Sequence, residues 1–156
     1  MKILTALLLA AVCGQAAASE LQSWDSSAPQ HTASLKAPVR IINLWATWCA
    51  PCRKEMPAMS AWYRKQKKGS VDMVGIALDS RENIAQFLKQ TPVSYPVWRY
   101  TGSDSRSLMK SFGNTVGGLP FTVVEAKKCD YKQTVFGEVT AEKLNQALAK
   151  VRAKCG

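Results

Sequence analysis

Runs of apolar residues alternate along the chain with segments whose apolar residues recur every three or four positions. The run from Val39 to Trp45 is mostly apolar and β-branched apart from Arg40, with Asn43 as the polar residue near its end, which predicts a strand buried on both faces of a parallel sheet. The spacing in the segment after it predicts a helix with one apolar face toward that sheet. The apolar residues of this face are Met56, Met59, Trp62 and Tyr63.

The rest of the chain continues this alternation of strands and helices. We predict strands over 71–78, 121–125 and 131–137, an extended piece over 95–100, helices over 80–90 and 104–112, and a last helix capped by Thr140. A strand, helix and strand in succession imply a right-handed crossover between two parallel strands. The first helix is expected to end with a basic run, Arg64 to Lys68, before Gly69, because cations stabilise helix C-termini.

The first 18 residues have the pattern of a secretion signal. A charged start precedes an apolar run from Ile3 to Val12, and small residues follow up to Ala18. A run of about ten residues is too short to span a bilayer comfortably but is typical of a cleavable signal peptide. We therefore expect cleavage after Ala18.

This cleavage divides the chain into a signal peptide over 1–18, a lead-in or tether over 19–37 and one domain over 38–156. The length of 156 residues and the 47% of hydrophobic residues suit a single core. A lipid anchor at Cys13 is disfavoured, since Val12 before it is bulkier than the small residue such sites carry. We expect a monomer.

Export would place the domain in the periplasm or the cell envelope, where disulfides persist. The chain has five cysteines, and the four that remain after cleavage allow three pairings. A C-x-x-C pair in such a compartment needs a partner that keeps it either reduced or oxidised.

The net charge of +10 favours solubility and weak attraction to anionic surfaces. The basic residues are scattered, apart from the run at Arg64–Lys68 and the pair Lys127-Lys128. No aromatic-rich motif for nucleic acid accompanies them, so we expect no nucleic-acid partner.

Two cysteines stand where the first predicted strand gives way to the first helix. If the helix begins near Cys49, then Cys49 and Cys52 lie three residues apart on one face, with β-carbons about 5–6 Å apart, and a small adjustment allows a disulfide. Pro51 is tolerated in a first helical turn. The unpaired N–H groups and partial positive charge of a helix start favour a thiolate. The spacing therefore permits a disulfide, and the helix start makes a thiol of this pair more reactive by favouring its thiolate form.

Three features together resemble the thioredoxin fold: Trp48-Cys49-Ala50-Pro51-Cys52 at this turn, Pro57 five residues further on, and Gly118-Leu119-Pro120 before a later strand. In detail the chain is similar to the TlpA/ResA-like branch of thiol-disulfide oxidoreductases over roughly residues 37–152. The resemblance implies an α/β, thioredoxin-like fold, with a central mixed sheet of about four to five strands and helices on both faces.

The resemblance also implies chemical roles for three residues. Cys49, nearer the exposed helix end, would be the nucleophile that attacks a partner disulfide, and Cys52 would resolve the mixed disulfide. Glu55 matches a carboxylate that relatives keep partly buried, a candidate acceptor for the Cys52 proton. The alternative for Glu55 is a solvated first-turn acid stabilised by the helix dipole.

A substrate-binding surface is implied beside the cysteines. Pro120 would be cis and would bring Leu119 next to the cysteines, so that its backbone edge pairs with an extended substrate segment. Trp48 and Pro51 would belong to the same docking surface, whereas Trp45 is expected in the core.

The second pair of cysteines departs from the family pattern. Relatives commonly continue into an Asp-x-x-Gly turn where this chain has Glu125 to Asp130 with Cys129 among them. In a thioredoxin-like arrangement the final helix runs back alongside the last strand, which would bring Cys155 near Cys129. A structural disulfide is therefore implied, with a second redox relay or free thiols as the alternatives.

The resulting hypothesis is an exported thiol-disulfide oxidoreductase that reduces protein disulfides by dithiol exchange. It implies no cofactor or metal beyond the Cys49–Cys52 disulfide, and its partners would be protein thiols or disulfides and a membrane or envelope electron donor. The Ala-Pro dipeptide lacks the histidine of strongly oxidising relatives, which favours the reductase direction. Alternatives are an oxidase-type partner, a structural interaction module, and a copper-binding protein, since thiolates suit Cu(I). Against copper, the one histidine, His31, lies in the lead-in.

Overall fold

Residues 19–156 are described in a computed structural model of the chain. The expected signal peptide and Cys13 lie outside the described residues. The helices and strands are β1 Leu21–Ser23, β2 Val39–Trp45, α1 Ala50–Arg64, β3 Val71–Ala77, α2 Arg81–Gln90, β4 Val97–Tyr100, α3 Ser105–Ser111, β5 Phe121–Ala126, β6 Lys132–Phe136 and α4 Ala141–Cys155.

The strands form one six-stranded mixed sheet in the order β1-β4-β3-β2-β5-β6. Strands β2, β3 and β4 are parallel, whereas β5 is antiparallel to β2, β6 to β5, and β1 to β4. The fold class is the expected one, but the sheet has one strand more than the four to five expected. The additional strand, β1, lies in the lead-in, where three residues without a periodic pattern pair with the edge of β4.

Helices cover both faces of the sheet because side chains of a strand alternate between the two faces. Val39 and Ile41 of β2 pack in a core with residues of α1 and α4, and Trp45 packs with Ile84 of α2. Ile42, between them, belongs to the opposite face, which α3 covers. Right-handed crossovers between parallel strands place α1 and α2 on the same face.

The helix bounds agree closely with the sequence, since local capping fixes three of the helix starts. Ser80, Asp104 and Thr140 each accept a backbone N–H three residues ahead, at 3.2, 2.9 and 3.3 Å. The expected end of α1 was wrong. This helix ends at Arg64, and the remaining basic residues of the run lie in the loop before β3.

The parallel strands give the sheet two chemically different edges. The carboxyl edge, where β2, β3 and β4 end, carries the start of α1. At the opposite amino edge, Val39 pairs with both Val71 and Ala126, so the β5–β6 turn lies beside the starts of β2 and β3. The end of α4 reaches this turn, where Cys155 and Cys129 form a disulfide with Cα atoms 5.6 Å apart.

We predict that Cys129→Ser lowers stability under oxidising conditions. The disulfide joins residues 26 positions apart, and closing such a loop contributes about 3.5 kcal/mol in the chain-entropy model. Thermal unfolding should then shift down on the order of 10 °C.

The measurement is best made in a Cys49→Ala/Cys52→Ala background, so that a reductant acts on the Cys129–Cys155 pair alone. Reductant should lower the stability of this background to that of the Cys129→Ser variant. If the oxidised background and its oxidised Cys129→Ser variant unfolded at the same temperature, the disulfide would not be stabilising.

Candidate active site

A disulfide between Cys49 and Cys52 stands at the start of α1, with an S–S distance of 1.98 Å and Cα atoms 5.3 Å apart. Strand β2 ends at Trp45, and a tight turn places Cys49 at the N-cap of the helix. The N–H of Cys52 donates to Cys49 Sγ at 3.3 Å. The same N–H, together with the helix dipole, would stabilise a thiolate at Cys49 after reduction.

The two cysteines differ in how far they reach toward solvent. Cys49 is 5% exposed and its helical neighbours Ala50 and Pro51 are exposed, whereas Cys52 is 0% exposed. A partner disulfide approaching the helix start would therefore meet Cys49 first. The burial order agrees with the roles implied for the two thiols.

An aspartate just after β3 holds the loop before the cysteines. Asp79 accepts hydrogen bonds from the hydroxyl and the backbone N–H of Thr47, the latter at 3.0 Å. It also accepts from Asn83 at 2.8 Å. Burial raises the pKa of Asp79, but these hydrogen bonds outweigh it and leave the pKa below its ordinary value. Sequence reasoning missed this residue, although an acid directly after a buried strand was a usable signal.

A loop on the other side of the cysteines contains the cis Leu119–Pro120 peptide bond, as the resemblance implies. Leu119 packs against the cluster that contains Cys49 and Cys52. The buried Asn114 fixes this loop, since its side chain donates to the Gly118 carbonyl at 2.8 Å and accepts from the Gly117 N–H at 2.9 Å. Nothing in the sequence had singled out Asn114.

An exposed tryptophan borders a cleft beside the disulfide. Trp48 is 71% exposed, and with Leu78, Tyr100, Met109 and Leu119 it lines a cleft of about 540 Å³. Trp45, by contrast, is fully buried and packs against Phe87 of α2. The two tryptophans therefore have the different environments expected of them.

Glu55 lies one turn beyond Cys52 and is buried, with 1% of its surface exposed. Its two oxygens accept hydrogen bonds from the Asn43 amide at 2.8 Å and from the Val139 N–H at 2.6 Å. Asn43 also donates to Thr122 of β5 at 3.0 Å. The alternative of a solvated first-turn acid is therefore wrong, because α4 and the sheet enclose this side of α1.

Burial raises the pKa of Glu55 from 4.5 to about 7, although the hydrogen bonds from Val139 and Asn43 oppose this rise. Tyr95 is another buried group that the sequence did not single out. Burial, and then the negative charge of Glu55, raise the pKa of its phenol. A carboxyl with a pKa near neutrality is suited to accepting and returning a proton.

Within residues 19–156, no group of three or more His, Cys, Asp and Glu side chains is arranged to hold a metal ion. His31 is exposed and remote in sequence from the cysteines. In the same residues no helix is both long enough and apolar enough to cross a membrane.

Comparison with known proteins identifies relatives of the chain. Residues 14–131 match the AhpC/TSA family. The thiol-disulfide oxidoreductase ResA of Bacillus cereus is 34% identical over 119 residues, which are 75% of this chain. The chain spans 65% of the length of that relative.

Solved structures show the same fold. The thioredoxin-related protein from Neisseria meningitidis serogroup B is 67% identical, with a TM-score of 0.83 over 86% of this chain and 99% of that one. A thiol:disulfide interchange protein from Chlorobium tepidum is 26% identical, with a TM-score of 0.67 over 83% of this chain and 90% of that one. These matches and the mixed sheet show that the chain belongs to the AhpC/TSA family, with a thioredoxin-like fold and the expected likeness to ResA.

Proposed function

We propose that the domain is a thiol-disulfide oxidoreductase that exchanges disulfides with protein substrates through Cys49 and Cys52. The observation that carries the proposal is the disulfide at the start of α1, with Cys49 at the N-cap and Cys52 buried behind it. The names of the relatives support the same activity.

In the reduced domain, the Cys49 thiolate attacks one sulfur of a substrate disulfide. That S–S bond breaks, a mixed disulfide forms, and the other substrate sulfur leaves as a thiolate and takes up a proton. Cys52 then loses its proton and attacks the Cys49 sulfur, which releases the second substrate thiolate. Two electrons pass to the substrate, and the domain is left with the Cys49–Cys52 disulfide.

Glu55 is the proposed acceptor of the Cys52 proton. It follows Cys52 by one helical turn, and with a pKa of about 7 it is partly ionised at neutral pH. A base whose pKa lies near the ambient pH is efficient because it is both available and strong enough. A solvated carboxyl of ordinary pKa would be a weaker base for a thiol.

The cleft beside Trp48 is the proposed site for the substrate segment that flanks the reacting cysteine. Trp48 offers a large apolar surface, and Gly118 and Leu119 line the same cleft, where their backbone is the proposed pairing edge for an extended chain. Asn114 and Asp79 hold the two bordering loops through the hydrogen bonds described above, so the cleft is preorganised.

The reductase direction, export and the electron donor extend this proposal. The Ala-Pro dipeptide between the cysteines favours a reductase, and the sequence of residues 1–18 favours export to the periplasm or cell envelope. In an oxidising compartment a reductase needs a membrane or envelope donor to restore its dithiol. The proposed substrates are therefore disulfides of other exported proteins.

The reduction potential of the Cys49–Cys52 pair tests the direction. Equilibration with a dithiol buffer should give a value near that of thioredoxin, about −270 mV, whereas a value near about −120 mV would indicate an oxidase.

Two single variants test the activity itself. Cys49→Ala should abolish insulin reduction, and Cys52→Ala should accumulate a mixed disulfide because the resolving thiol is missing. Wild-type activity in Cys49→Ala would contradict the assignment of the nucleophile. Stoichiometric copper binding by a wild type that does not reduce insulin would contradict the proposal as a whole.

Glu55→Gln tests the proton acceptor. In the wild type, release of substrate from the mixed disulfide should accelerate as the pH rises through about 7, because the ionised carboxyl accepts the proton. The variant should lose this rise and be slower by about a hundredfold at alkaline pH. Rapid-mixing kinetics of a preformed mixed disulfide measures both.

Glu138→Gln is the matched control, since Glu138 pairs with Lys54 at 3.0 Å at the surface. The negative charge of Glu138 raises the pKa of Glu55. The Glu138→Gln variant should therefore still release substrate faster as the pH rises, with the midpoint of this acceleration at a slightly lower pH. Identical pH profiles for wild type and Glu55→Gln would exclude Glu55 as the acceptor.

Stability provides a second readout of the same residue. The folded-state pKa of about 7 exceeds the ordinary 4.5, so the folded form binds more protons than the unfolded form between these values. The contribution of Glu55 to stability is therefore fully present below pH 4.5 and is lost as the pH rises through about 7, a loss of up to about 3 kcal/mol. Glu55→Gln should not show this loss in denaturant titrations at acidic and alkaline pH.

Trp48→Ala tests the docking cleft. Loss of an exposed aromatic contact should lower kcat/KM for a protein disulfide by about tenfold. A small aromatic disulfide, which does not fill the cleft, should be reduced at nearly the wild-type rate. Equal losses for both substrates would show that Trp48 acts on the thiols and not on docking.

A further inference from the structure

The amino edge of the sheet, opposite the cysteines, is strongly basic. The end of α1 and the loop after it carry Arg64, Lys65, Lys67 and Lys68. All four side chains are exposed. Within residues 19–156 none of them forms a salt bridge.

Three further segments bring basic side chains to the same edge. Lys36 precedes β2, Lys127 and Lys128 lie in the β5–β6 turn, and Arg152 and Lys154 lie in the last turn of α4. These five are also exposed, and none has a carboxylate partner among the described residues. We call these five, together with Arg64, Lys65, Lys67 and Lys68, the basic pole.

Carboxylates do little to neutralise the basic pole. The acidic side chains nearest the pole are Asp72, Glu125 and Asp130. Glu125 forms a salt bridge with Arg40 at 2.7 Å, outside the pole. Asp72 is already engaged, since it accepts the N–H groups of Lys36 at 2.6 Å and Ala37 at 2.8 Å. The pole therefore keeps a large excess of positive charge, which raises the local potential well above that of scattered charges.

The chemistry of the pole is electrostatic rather than apolar. Among the described residues, the large hydrophobic side chains that are exposed are Trp48, Val116 and Phe136, and none lies in the pole. The pole thus lacks both the aromatic centre of a typical protein interface and a stacking platform for single-stranded nucleic acid. A dense layer of exposed cations instead matches a layer of anionic lipid headgroups.

We propose that the basic pole docks the domain on a membrane surface rich in anionic phospholipid, with the cysteines facing away from the bilayer. Cys49 stands at the start of α1, and the basic run begins at its last residue, Arg64. The 15 residues of α1 separate the two by about 22 Å at 1.5 Å per residue. Docking by the pole leaves Trp48 and Cys49 open to other proteins. The proposal goes beyond disulfide exchange and does not depend on it.

Co-sedimentation with vesicles tests the docking. The wild type should bind vesicles of phosphatidylcholine mixed with phosphatidylglycerol and should not bind pure phosphatidylcholine vesicles. Raising the salt from about 20 mM to about 500 mM should release it, because the Debye length falls to a few ångström. Equal binding to both vesicles, or none to either, would overturn the proposal.

A matched pair of charge variants separates the pole from net charge. The variant Lys67→Glu/Lys68→Glu/Lys128→Glu should lose at least tenfold in vesicle partitioning. The control Arg81→Glu/Arg106→Glu/Lys143→Glu makes the same change in net charge outside the pole and should stay within about threefold of wild type. Equal losses in both would show that net charge, not the pole, drives binding.

Orientation has its own readout, because Trp48 is the exposed tryptophan among the five. Iodide should quench its fluorescence equally well in free and vesicle-bound protein. Protection of Trp48 on binding would overturn the proposed orientation. Failure of disulfide reduction with normal vesicle binding would contradict the proposed enzyme activity and leave the docking intact.

Discussion

One buried carboxylate joins the four elements on which the candidate site depends. Glu55 of α1 is held by Asn43 of β2 and by the N–H of Val139 at the entry to α4, and Asn43 also binds Thr122 of β5. Burying an acid is costly, and the cost is reduced here because both oxygens have donors. The network thus fixes α1 against the sheet and, by the same burial, brings the pKa of Glu55 close to neutrality.

Strand topology gives the two ends of the domain different chemistry. The carboxyl edge of the parallel strands carries the start of α1, so Cys49 at the N-cap lies nearer to a partner than Cys52, which the first turn of the helix buries completely. The amino edge receives the ends of α1 and α4, whose C-termini favour cations. Each helix separately favours cations at its C-terminus. Because the ends of α1 and α4 lie at the same edge of the sheet, these cations form one charged surface.

Local patterns predicted most of the fold and the centre of the site. The apolar run Val39–Trp45, the caps at Ser80 and Thr140, and the C-x-x-C spacing each lie within a few residues, so the sequence displays them directly. Strand β1 was not predicted, because three residues of mixed polarity form a strand only when the edge of a sheet, here β4, is available to pair with them. We expected α1 to end at Lys68, but it ends at Arg64. A basic run is compatible both with the last turn of a helix and with the loop after it, so the sequence could not distinguish the two.

The sequence by itself determined the order of the elements, the position of two thiols at a helix start and the family resemblance, because these depend on neighbours along the chain. Only the tertiary structure decided that Glu55 is buried, that Asn114 and Asp79 hold the loops beside the thiols, and that nine cations share one edge. Burial, long-range hydrogen bonds and the summation of charge depend on residues that are distant in sequence. Their positions are set when the strands pair and the helices pack against them.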